Sequence, residues 1–221
     1  MVRTVDRNWI TKTALVFFTV NVLAIIAAVV SGYRMDALTH RFEERQAITF
    51  ISSNQLGATA MVAWIIYMLG RALRQDRASV RDSRFWAISA AGFLYLTLDE
   101  SFQFHEGMDT SLVRLFGSQA DPMLDGVPTA IYGIVAALLC YRYRHEIVRR
   151  PGTLPFFLLG GAFLAVTSLL NMGMATSVQI VAEESAKLLG VVSFLMGHLA
   201  ALAGEVEAAR EARVVEAEAL L

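Results

Sequence analysis

"FWAISAAGFLYLTLDESFQFHEG", Phe85 to Gly107, begins as an apolar run and ends acidic, with Asp99, Glu100, His105 and Glu106 falling within eight residues. In water such a segment reads as a core helix with a solvated end. In a bilayer it reads as a span that carries carboxylates below the surface. The rest of the chain decides between the two. Its 221 residues are 56% hydrophobic and 18% charged, whereas a soluble domain carries about 25% charged residues. Apolar runs recur at Thr13–Tyr33, Ile48–Leu69, Phe85–Phe104, Val127–Tyr141, Leu154–Met172 and Ala175–Leu202. Runs of about 20 apolar residues match the roughly 30 Å hydrocarbon core of a membrane. The expected fold is all-α, a polytopic membrane helix bundle of six transmembrane helices.

The charges in the connections orient it. The N-terminal segment holds Arg3, Arg7 and Lys12; "RALRQDRASVRDSR" carries five arginines and "RYRHEIVRR" four. The alternate connections are poorer in basic residues, and the third is acidic, with Glu106, Asp109, Asp121 and Asp125. Under the positive-inside rule both termini are cytoplasmic. Trp9, Trp64, Tyr67, Trp86, Tyr141 and Tyr143 then fall near the cytoplasmic boundary, where interfacial aromatics anchor helices. The first run is read as an uncleaved span, since "AAVVSG" is a poor cleavage site. Residues 1–204 form the transmembrane domain. Residues 205–221, rich in strong helix formers, prolong the sixth helix as a cytoplasmic tail.

The single cysteine, Cys140, excludes an internal disulfide. A net charge of −1 gives no footprint for nucleic acid. The expected surroundings are a lipid bilayer, with a membrane-protein partner or a second copy as the further candidates. Arginine and alanine richness suits a GC-rich bacterial genome, so the expected location is a bacterial inner membrane.

Depth follows from a rise of about 1.5 Å per residue. Asp99 and Glu100 lie about 8–10 Å below the outer boundary, and "EESAK" (Glu183, Glu184, Lys187) on the sixth helix lies at about 12–18 Å. Two acidic clusters on different helices thus share a level. Asn54, Gln103 and Gln179 fall near it, as do Ser52, Thr167, Ser168 and Asn171, while the inner half of the bundle reads as nearly all aliphatic. Asp99, Gln103 and Glu106 share one helical face, and Glu183 pairs with Lys187 at i,i+4. Each unpaired intramembrane charge costs a few kcal/mol or more. Four acids against one lysine call for protonation, hydration or a bound cation.

The expected result is an acidic, periplasm-facing intramembrane pocket that binds a divalent metal or a polar small ligand. Its metal-ligand candidates are Asp99, Glu100, His105, Glu106, Glu183 and Glu184, with Gln103, Lys187, Asn54 and Gln179 as other lining residues. Carboxylate-rich, histidine-poor sets suit hard cations, and the residues do not separate Mn, Fe, Zn, Ca and Mg. The Glu-x-x-His pairs of di-iron bundles are lacking. So are the several histidines of seven-helix ceramidase-like hydrolases, which leaves enzymatic use of the pocket open. Two other readings stand beside it: a non-catalytic assembly subunit of a larger membrane complex, and a proton- or cation-coupled transporter. His198, near the inner end of the sixth helix, reads as a packing residue. Gly160, Gly161, Ala162 and Ala165 read as a surface for close helix contact.

"LDESFQFHE" followed far downstream by "VAEESAKLLG" resembles an uncharacterised group of bacterial multi-pass membrane proteins, which carry an Asp-Glu…His-Glu segment and a later Glu-Glu…Gly helix. The resemblance implies that Asp99, Glu100, His105 and Glu106 join Glu183 and Glu184 in one site. It covers two short segments, and Lys187 departs from it, standing where an acid is commoner.

Overall fold

The computed structural model describes residues 8–35, 38–42, 46–73, 77–104, 127–171 and 176–219. Among them every regular element is helical: α1 (Asn8–Arg34), α2 (Ala47–Leu73), α3 (Arg77–Phe102), α4 (Val127–Arg142), α5 (Arg144–Val148), α6 (Thr153–Asn171) and α7 (Ser177–Ala219), with a short 3-10 turn at Thr39–Arg41. Each of the six apolar runs of the sequence falls largely within one long helix. Three helices, α1, α6 and α7 as far as Glu211, are long and apolar enough to cross a membrane. In α2 the "SSNQ" tetrad lowers the apolar character, in α3 the arginines and the Asp99–Glu100 pair do so. The 16 residues of α4 extend only about 24 Å.

Burial shows which helix is central. In the most apolar window of α7, 72% of residues are buried, against 17% in α1 and 22% in α6. α1 turns a narrow stripe inward, Ala14, Asn21 and Ala28 at heptad spacing with Gly32 beyond, and leaves Leu15, Val16, Leu23 and Ile26 exposed. That inside-out pattern suits a helix whose outer face meets acyl chains. α6 and α7 pair along their lengths, as do α2 and α3, and α2 joins the two pairs by packing on α7.

The α6–α7 contact is a reciprocal lock. A Cβ on Gly160 of α6 would lie 2.8 Å from Phe194 of α7, and one on Gly197 of α7 would lie 2.7 Å from Phe157 of α6. Each helix thus sinks a phenyl ring into a notch that only glycine leaves open. Gly160 therefore serves the close contact foreseen for it, whereas Gly161 faces open space.

The half of the bundle away from Asp99 and Glu100, expected to be aliphatic, is rich in aromatic rings. Phe85, Trp86, Phe157 and Phe194 form its core with Ile66, Ile147 and Ala201. Trp86 is fully buried there and is no interfacial anchor, while Trp9, Trp64 and Tyr141 are exposed as anchors would be. α7 runs unbroken for 43 residues, so the helical continuation past Leu202 is present.

Candidate functional site

Glu100 and Glu184 converge on one lysine. The Lys187 ammonium lies 2.7 Å from Glu184 Oε1 and 3.1 Å from Glu100 Oε1. Ser52 of α2 donates to the same Glu100 oxygen at 2.8 Å. Asp99 and Glu100 are 5% and 8% exposed, while Glu183, Glu184 and Lys187 are half-buried. Three helices therefore share a polar cluster. α3 and α7 stand far enough apart at this level that long side chains make the bridge, and α2 floors it with small ones. Ser53 bonds Ser101 across the same α2–α3 seam at 3.1 Å, one turn from where Gly57 packs on Thr97.

A lysine between two carboxylates neutralises one of them. Asp99, next to Glu100 in α3, is buried as well. Among the described residues no three His, Cys, Asp or Glu side chains are placed to hold a metal ion. The ammonium itself fills the space between Glu100 and Glu184, so a metal there would require Lys187 to swing away.

Several lining candidates have other partners. Asn54 is exposed and its amide bonds the Phe50 carbonyl of its own helix at 2.7 Å. Gln179 donates to the Leu170 carbonyl, closing the α6–α7 hairpin. Thr167 and Ser168 bond Phe163 and Leu164 carbonyls one turn back. These polar groups satisfy backbone carbonyls. Gln103 adopts φ 59°, and its amide bonds the Asp99 carbonyl at 2.7 Å. This left-handed residue ends α3. The regular helical face expected to join Asp99, Gln103 and Glu106 therefore stops here. His105 and Glu106 lie outside the described residues.

Between the cluster and the core, Gln55 of α2 donates to Asn21 of α1 at 2.9 Å, and Asn21 donates to the Phe17 carbonyl at 2.8 Å. The Gln55 side-chain oxygen Oε1 is buried without a hydrogen bond among the described residues.

Two further polar groups lie outside the expected pocket: His198, which the sequence reads as a packing residue, and Arg150. His198 is fully buried. Its Nδ1 lies 2.8 Å from the Phe194 carbonyl, which can only accept, so Nδ1 carries the proton. Nε2 then receives the Ser89 hydroxyl of α3, also at 2.8 Å. Trp86 and Phe93 present ring edges to the imidazole and Phe157 stacks on it, with centroids at 5.4, 5.1 and 5.1 Å. At the end of the bundle away from Glu100, Arg150 is buried between Glu146, at 2.6 Å, and Glu205, and its guanidinium lies 4.8 Å above the Trp86 ring. Arg149 adds a contact to Glu146 at 3.0 Å. The arginines of this connection count toward topology in the sequence, yet Arg150 clamps α7 to the α5–α6 corner. A signal existed: Glu184, His198 and Glu205 are spaced by 14 and 7 residues, one face of α7, and Glu146 and Arg150 are an i,i+4 pair.

Comparison with curated proteins and with solved structures returns no match. A family model does match, over residues 9–202, a stretch that takes in both halves of the carboxylate–lysine cluster and the buried histidine. The chain belongs to the family described as a domain of unknown function, DUF8692.

Proposed function

We propose that this chain is a six-span bacterial inner-membrane protein with both termini cytoplasmic, and that its carboxylate–lysine cluster binds a divalent cation entering from the periplasmic side. One observation carries the reading: Lys187 is shared between Glu100 and Glu184 with Asp99 buried beside them. Two carboxylates, one from α3 and one from α7, thus meet at one ammonium, which gathers hard oxygen ligands at a single place. Lys187 acts as a tethered cation that holds the site together until a mobile one takes its place, and hard oxygen ligands favour Mg, Ca or Mn over thiolate-seeking metals.

The test is calorimetric titration of the full chain in detergent micelles with Mn²⁺ and Ca²⁺, beside elemental analysis of the protein as purified. Saturable, near-stoichiometric binding that disappears in a Glu100→Gln, Glu184→Gln variant and tightens in Lys187→Met supports the site. Heats that are absent, or unchanged by both variants, overturn it.

The same bridge favours a second reading. An ammonium already held by two carboxylates joins α3 to α7 as a structural cross-link, the arrangement expected of an assembly subunit. A stoichiometric partner that co-purifies with wild type and with Glu184→Gln alike, with no cation bound, would establish that reading in place of the first.

A further inference from the structure

The cation site makes no use of Ser89 and His198, which meet on the other side of the Phe93 and Phe194 rings. A buried histidine satisfied by two chance partners needs only proximity. This one has the order of a base with its nucleophile. The Phe194 carbonyl takes Nδ1–H and fixes the tautomer, so the Nε2 lone pair points at the Ser89 hydroxyl 2.8 Å away. Trp86, Phe93 and Phe157 hold the imidazole from three sides, which removes its freedom to rotate off the hydroxyl. A hydroxyl within hydrogen-bond reach of an imidazole that a third group orients is the signature of an activated serine.

Access comes from the flank. Ser89 is only half-buried and neighbouring Ile88 is exposed. One turn on, Gly92 has nothing within 4 Å of where its Cβ would stand. Beyond it, Tyr95 of α3 meets Tyr132 of α4 through their hydroxyls at 2.8 Å, and few other contacts join those two helices. A compound that reaches Ser89 past Gly92 travels over apolar surface, which selects a neutral, lipid-soluble electrophile over a charged one.

We propose that Ser89 is a nucleophile and His198 its general base, acting on a carboxylic ester dissolved in the bilayer. Ser89 Oγ bonds to the ester carbonyl carbon as its proton passes to His198 Nε2. The acyl–alkoxy bond breaks and the alcohol leaves with that proton. Water then attacks the acyl-serine, giving its proton to Nε2, and the carboxylic acid departs as Ser89 is restored. The sum is ester plus water to acid plus alcohol.

The test treats the full chain, in native membranes and in detergent, with an alkyl fluorophosphonate and maps the adduct by peptide mass spectrometry. The expected result is one adduct, on Ser89, absent in Ser89→Ala and formed at least about 100-fold more slowly in His198→Gln, the scale of a lost general base. No adduct on the folded wild type, an adduct elsewhere only, or an equal rate in His198→Gln overturns the proposal. Should His198→Gln fail to fold, the solvent deuterium isotope effect on wild-type labelling decides. A normal effect supports proton transfer to the imidazole, and its absence overturns it.

Discussion

Lys187 shows how one side chain sets the electrostatics of a buried region. Its ammonium is held by Glu100 and Glu184, and removing one partner of a buried pair leaves uncompensated charge, which costs about 3–5 kcal/mol where desolvation is complete. At a side-chain exposure of 19% solvent screening should bring the loss in Lys187→Met below that range, to about 2–3 kcal/mol. A Lys187→Met, Glu100→Gln, Glu184→Gln triple variant, which removes the stranded charges with it, should recover most of that. Unfolding titrations in mixed micelles measure both. A triple variant as unstable as the single one would mean that packing of the lysine stem, and not charge, is what matters.

This scale is also where the sequence was least readable. Rise per residue put Glu100 and Glu184 at one level, and they do share a lysine. Level alone cannot say where a short polar side chain finds its partner. Asn54, Thr167 and Ser168 bond their own helix backbone, the nearest acceptor available to side chains of that length. His198, which the sequence reads as a packing residue, does pack, but its partner Ser89 and the rings around it come from α3 and α6, far away along the chain.

Among the elements, α6 and α7 depend on two glycine notches. Gly197→Ala would drive a methyl group to within 2.7 Å of the Phe157 ring, and Phe157 cannot retreat because it stacks on His198 and packs on Trp86. Overpacking of this kind costs about 1–3 kcal/mol. Gly161→Ala, facing open space, should be neutral or slightly stabilising, since alanine favours the helix. Thermal inactivation of the two variants in one detergent compares them directly, and equal stability would contradict the lock. Helix positions themselves were legible because long apolar runs leave the backbone few alternatives in a bilayer. Which face of each helix turns inward was not, since it depends on ring-in-notch pairings between residues more than 30 positions apart. The end of α3 was likewise hidden: Gln103, not a glycine, takes the left-handed conformation.

For the molecule as a whole, orientation is the testable matter. Three helices are long and apolar enough to cross a membrane, and the six-span reading proposed above puts both termini in the cytoplasm. With Cys140 replaced by alanine, Met35→Cys, at the exposed end of α1, should react with a membrane-impermeant maleimide on spheroplasts. Arg213→Cys on the far part of α7 should react only after the cells are opened. The reverse pattern would turn the molecule over and place the carboxylate–lysine cluster on the cytoplasmic side.

The 43 residues of α7 make a rod about 64 Å long, roughly twice the thickness of the hydrocarbon layer. Glu184 and Lys187 sit near one end of it, and Arg150 grips it at Glu205, about two thirds of the way along. One unbroken helix thus carries the lysine of the acidic cluster near one end and, past the two glycine notches and the Arg150 clamp that hold it, runs on to a tip about 48 Å from that lysine.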